Sequence, residues 1–276
     1  MLLRHTVRVA TIPAVIPDAT SLDEVVDSID SIIDWSIGAK SRLGYFAAMY
    51  KRITVAVRAA VAQGAFQDNP RMATFDATFA NRYFAALNGH FHPAKFPKPT
   101  HSWQVVFDAA DRPEPIIVQQ LLVGVNAHIG LDLGIVAQEI EPGSRLPSLR
   151  QDFDAINAVL ASQVNDVVAE VDELSPVLAN LYAALQDNEI SLIDESLTTM
   201  RDSAWLFATI LADELGLLQP ATILARDLQV AQQGVLILNP PAPLSAIVGA
   251  IADGESRDIA NIIKVLNTVA ESPAAV

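Results

Sequence analysis

The chain has 276 residues, 51% of them apolar, a net charge of −14 and no cysteine. That length is enough for a substantial core in one large or two ordinary domains, and a composition rich in Ala, Leu, Val and Ile but poor in Gly favours helices. The missing thiols exclude disulfides, thiolate catalysis, iron–sulfur clusters and Cys-based zinc sites. The charge is unevenly placed, with 12 basic and 11 acidic residues through Glu114 but 6 and 21 from Pro115 onward. Nucleic acid and anionic membrane are therefore not expected partners, because both call for a basic surface.

Taken in order, the first 20 residues read as an extended arm, since Pro13 and Pro17 bar a helix there. Arg4, His5 and Arg8 interrupt the apolar run that a signal peptide needs, no window reaches the apolar length of a spanning helix, and the default compartment is the cytoplasm. Ser21 to Glu24 has the form of a capping box, followed by Leu22, Val25, Val26, Ile29, Ile32 and Ile33 at the period of one buried face. A second helix is expected over 41–63, with Phe46, Tyr50, Ile53 and Val57 inward and Lys51, Arg52 and Arg58 mostly outward.

Residues 74–87 form a short aromatic helix carrying Phe75, Phe79, Arg82 and Tyr83, and an Arg among aromatic rings either stacks on them or reaches a carboxylate. Residues 88–100, with Pro93, Pro97 and Pro99, read as a loop holding His90 and His92. A two-turn helix over 102–110 brings Trp103 inward and places His101 near a pocket mouth.

The central helix is expected over about 118–140. Its stretch VQQLLVGVNAHIGLDL is apolar on nearly every side yet carries Asn126, His128 and Asp132, while Gly124, Gly130 and Gly134 point to neighbours close against its backbone. His128 and Asp132 stand at i and i+4, where side chains meet. Asn126 lies about 160° round the helix from His128 and is expected to bond between helices. Further helices follow over 150–173, 177–185, 191–218, 221–233 and 245–269, with 235–238 read as extended chain or helical tail. One all-α domain without internal repeats is the economical reading.

The segments FDATFANRYFAAL, Trp103-Gln-Val-Val-Phe-Asp and LLVGVNAHIGLDL, with the later Arg201-Asp-Ser-Ala-Trp205, resemble a mostly actinobacterial family of unknown function. The resemblance covers about half of the chain, its most specific part being Asn126-Ala-His128 with Asp132, and it implies an all-helical fold. A weaker similarity links the His-Asp spacing to the zinc phospholipase C and P1 nuclease class, whose helical His and Asp bind metal. Five histidines and an N-terminal Met do not supply that class's zinc cluster.

Three readings remain open. In the first, His128 is the acid or base and Asp132 its orienting partner in a cofactor-free enzyme that moves protons on a small apolar or carbonyl-bearing molecule, by isomerisation, cyclisation, dehydration or hydrolysis. Arg82, Tyr83, His101, Trp103, Arg201 and Trp205 are then candidate substrate-binding residues. In the second, the same side chains are structural parts of a non-catalytic binding or scaffold protein, with the polar groups fixing helix register. In the third, His128 and Asp132 hold a single divalent metal such as zinc for hydrolysis. No phosphate loop, nucleophile elbow, paired-His metalloprotease helix or calcium loop is present, and nothing in the sequence sets the oligomeric state.

Overall fold

The computed structural model describes residues 12–178, 180 and 189–268, and among them there are eleven α-helices and no strand. These are α1 (Leu22–Ala39), α2 (Leu43–Ala62), α3 (Asn69–Phe91), α4 (His101–Ala110), α5 (Ile117–Ala127), α6 (Leu133–Ile140), α7 (Arg150–Leu174), α8 (Glu189–Asp213), α9 (Gln219–Leu238), α10 (Leu244–Gly254) and α11 (Ile259–Thr268). The five residues His128–Asp132 join α5 to α6 as one π-helical turn, and a 3-10 segment, Gly143–Leu149, leads into α7. Most of the helix expected over 177–185, like the first 11 residues of the arm, lies outside the described residues.

The expected start of α1 is present with one change of partner. Ser21 Oγ accepts from the Glu24 backbone N–H at 3.2 Å, but the Glu24 carboxylate reaches Thr20, one residue earlier than a capping box would take it. Residues of the arm are held in extended form by side chains of α3. Asn88 exchanges two hydrogen bonds with the Ile16 backbone and Asn81 two with that of Ala19, all at 2.8 to 2.9 Å. Each amide thereby replaces a neighbouring strand for one residue of the arm.

Several boundaries differ from the sequence reading, each for a local reason. α3 begins five residues earlier because the Asp68 side chain accepts from the Arg71 N–H at 3.0 Å and Pro70 sits in the first turn. It also runs on to Phe91, since Pro93 bars the helical conformation only at His92. Residues 235–238 complete α9. The single helix expected over 245–269 is broken after Gly254, and in the break Glu255 turns its carboxylate onto the Ile117 N–H at 2.8 Å, where it caps α5.

Lys51 and Arg52 do not face outward. Lys51 is buried against Asp30 at 2.6 Å, and the Arg52 guanidinium is enclosed between α2 and α7, paired with Glu170 and 3.3 Å from Asp166. Arg58 does reach the surface, where it pairs with Asp23.

The segment Ile117–Ile140 runs through the middle of the fold and touches α2, α3, α4, α8 and α9. With 24 residues, and a mean hydropathy of 1.4 over its most apolar window, it is by length and composition alone long and apolar enough to cross a membrane, where the sequence reading found no such window. In this fold 83% of its most apolar window is buried within the protein. Two glycines allow that packing: a Cβ at Gly124 would lie 2.5 Å from the Phe46 ring of α2, and one at Gly134 would lie 2.6 Å from the Ala204 carbonyl of α8. Asn126 donates to the Val230 carbonyl of α9 at 2.8 Å, the interhelical bond its position on the helix predicts.

Candidate active site

The site forms around the π turn. In such a turn the backbone bond closes from i to i+5, and the Leu133 N–H accordingly bonds to the His128 carbonyl. Leu133, and not Asp132, therefore stands above His128. This rotates Asp132 off the line that i, i+4 spacing would give it in an α-helix, and its carboxylate is 3.8 Å from His128 Nδ1, beyond hydrogen-bond length. The two side chains are neighbours without a hydrogen bond between them.

Asp132 is fully buried and has other partners. Trp103 Nε1 donates to Oδ2 at 2.7 Å and Arg82 Nε to Oδ1 at 3.1 Å. Burial pushes the Asp132 pKa up, but His128, Arg82 and the Trp103 N–H outweigh it and hold the carboxyl below its ordinary value. Arg82 is 30% exposed, so this anion is neutralised from the surface side.

His128 is packed in aromatic rings. Phe79 stacks on it with centroids 3.5 Å apart and planes within 10°, and Tyr50 meets it edge-on at 4.7 Å. Neither ring nitrogen has a hydrogen-bond partner. Burial draws its pKa down despite Asp132, so the imidazole is neutral at pH 7.

Beside His128 lies a cavity of about 260 Å³, walled chiefly by apolar side chains of α2, α3, α5, α7 and α8. Leu122, 46% exposed, lines it too, so one side reaches the surface. Among the polar groups on its wall that were not singled out from the sequence are those of Asp76 and Tyr50. The Asp76 Oδ2 and Tyr50 hydroxyl oxygens are both buried without a hydrogen-bond partner. Burial alone raises Asp76 to about 7, and burial together with the nearby Asp76 carboxyl pushes the Tyr50 phenol well above its ordinary value. The signal for Asp76 was its position three residues before Phe79 and seven before Tyr83, an acid on the apolar face of α3.

The other candidate residues are divided between different places. Arg201 lines the cavity from α8, with Nε on Asn157 Oδ1 at 2.6 Å and Nη2 on the Phe153 carbonyl at 2.5 Å. Tyr83 and Trp103 stack on each other at 5.0 Å behind His128, and with Arg82 they belong to the surroundings of Asp132 and not to the cavity wall. Trp205 packs on Phe153 and under the Arg150 guanidinium, outside the cavity.

His101 is not at a pocket mouth. Its ring is 60% exposed and lies 2.8 Å from Asp227, whose carboxylate also accepts the backbone N–H groups of His101 and Ser102 and so caps α4 from α9. Among the described residues no group of three or more His, Asp or Glu is gathered where it could hold a metal ion.

No curated protein and no solved structure matches this chain. The model of one family matches residues 22–240, which include every residue of the site just described, and the chain belongs to that family of unknown function (DUF5995).

Proposed function

We propose that the protein is an enzyme that moves protons, without redox chemistry, on a small apolar molecule enclosed in the cavity beside His128. The observation that carries this reading is the set of four polar atoms left without hydrogen-bond partners on residues of one apolar cavity wall: Tyr50 Oη, Asp76 Oδ2 and both ring nitrogens of His128. Buried polar atoms are nearly always satisfied, because leaving one unpaired costs about 1–3 kcal/mol. A ligand with a carbonyl or hydroxyl group would supply the partners, and its apolar body would fill the remaining wall. Scaling from the roughly 150 Å³ cavity that holds benzene, this one suits a molecule of about ten heavy atoms.

The roles follow from the environments. Asp76, raised to about 7, exchanges a proton readily near neutral pH, which is where a general acid or base works best. His128, kept neutral, offers one N–H and one bare nitrogen to the reacting group. Asp132 acts from 3.8 Å as a fixed negative charge that favours a proton on the imidazole, and Trp103 and Arg82 hold it in place. Tyr50 is a donor toward an oxygen that gains charge. A metal-dependent hydrolase has less support, since His128 is enclosed by Phe79 and Tyr50 and, among the described residues, no third ligand stands with it and Asp132.

The test is solvent exchange. Methyl ketones with compact apolar bodies, 4-phenyl-2-butanone first, are incubated with the protein in D2O, and loss of the α-proton signal is followed by NMR. Wild type is expected to catalyse the exchange, and Asp76→Asn and His128→Gln to slow it by about 100-fold or more. Ketones that bind to the wild type without any exchange would instead make the protein a non-catalytic binding protein.

A further inference from the structure

Arg201 is a buried charge that lies 4.4 Å over the Phe153 ring and has no ion-pair partner among the described residues. It is 4% exposed and lines the cavity, and its hydrogen bonds go only to neutral oxygens, those of Asn157 and the Phe153 carbonyl. Nη1 makes none among the described residues. The nearest carboxylates, Asp154 and Asp202, are held by Arg150, at 2.7 Å and 3.0 Å, and no acid among the described residues comes within ion-pair distance of Arg201. A buried guanidinium without a counter-charge is unfavourable, and an anion placed beside it relieves that cost.

The cavity gives such an anion its place and its remaining chemistry. Apart from Arg201, the wall on the side of α7 and α8 is formed by apolar groups such as Ile156, Leu160 and Leu197, with Gln163 as a further polar member. We infer that the cavity takes a largely apolar monocarboxylate of about ten heavy atoms, with the carboxylate paired to Arg201, the apolar body along the wall between, and any carbonyl or hydroxyl group at the end near Tyr50, Asp76 and His128. The inference rests on the reading of the cavity as a ligand site and adds the ligand's class. Burial draws Arg201 down from its ordinary value to about 10, against the opposing pull of Asp154 and Asp202.

The test compares n-octanoate, n-octanol and n-octylamine, molecules of similar size with different heads, by titration calorimetry at pH 7.5. On wild type, octanoate should bind at least about tenfold more tightly than octanol, the difference that one charge-assisted pair gives. Arg201→Gln should remove that preference and leave octanol binding within about threefold.

Arg201→Gln also removes the ties to α7 and could unfold the protein, so a second variant carries the test independently. Asn157→Asp places a carboxylate on Arg201 Nε without changing the shape of the side chain, and is expected to raise stability while abolishing the preference for octanoate. If Arg201 only tied α7 to α8, Asn157→Asp would stabilise the fold and leave the preference as it was. Equal binding of octanoate and octanol to wild type, or tighter binding of octylamine, would overturn the carboxylate assignment and leave the cavity as a ligand site. Failure of all three to bind would overturn the ligand site itself.

Discussion

Asp76 carries the clearest consequence at the scale of single residues. Its folded pKa of about 7 stands above the ordinary 3.8, so the unfolded chain releases this proton first as pH rises. Its effect on stability is therefore a loss as pH climbs from about 4 through 7, worth on the order of a few kcal/mol above that range. Asp76→Asn should thus melt at a higher temperature than wild type at pH 8, and by a clearly smaller margin at pH 5. Equal melting curves at both pH values would mean that the carboxyl has a partner in solution. His128 has the opposite sense. With its pKa lowered by burial, it costs stability as pH falls below its ordinary 6.5.

The residues of the site were legible to different degrees. Asn126, His128 and Asp132 stand out in an apolar helix, and the angle between Asn126 and His128 correctly separated an interhelical bond from the site. Asp76 was harder to see because a single acid in a 23-residue helix resembles a solvated one, although its spacing from Phe79 and Tyr83 puts it on the buried face. The true partners of Asp132 come from Trp103 and Arg82, 29 and 50 residues away, and no local spacing encodes such pairings.

Among elements, the contact of α2 with α7 decides whether the cavity keeps its wall. Arg52 and Glu170 are buried together there, beside the cavity-lining Val167 and Val171. Removing Glu170 leaves the buried Arg52 guanidinium with only the part-exposed Asp166 at 3.3 Å, so Glu170→Ala should be destabilising by about 2–3 kcal/mol in urea unfolding, less than the loss of a sole partner would cost. The double change Arg52→Met with Glu170→Leu removes both charges and should cost less than either single change. A strictly additive result would show that the pair has no special coupling. Helix periodicity could not place Arg52 inward, since a basic residue on a helix is ordinarily solvated and its pairing depends on an acid 118 residues further on. The helices themselves were readable from apolar spacing and caps. Their ends were less so, as α3 and the break after Gly254 show, because the deciding contacts lie elsewhere in the chain.

For the whole molecule, the dominant electrostatic fact is an excess of 15 acidic over basic residues from Pro115 onward, 21 against 6. Such a surface repels itself, and mobile ions screen the repulsion over about 10 Å at 0.1 M salt. Raising sodium chloride from 0.05 M to 0.5 M at pH 7.5 should therefore raise the melting temperature by a few degrees. A fall would mean that surface ion pairs such as Arg58–Asp23 contribute more than the repulsion costs.

The π turn has a consequence for chain length. Bonds from i to i+5 take up one residue more than an α-turn, so α6 leaves the turn out of phase with α5 by about one residue, or about 100°. One continuous rod thus shows two differently oriented faces. α5 packs on α2, α4 and α9, whereas α6 packs on α3 and α8. The irregular turn is braced from outside, where Arg226 of α9 donates to the Gly130 carbonyl at 2.8 Å. Between residues 128 and 132 the number of residues matters as much as their identity: with one fewer, the rod would regain a single phase, and His128 could not face the cavity while Gly134 met α8.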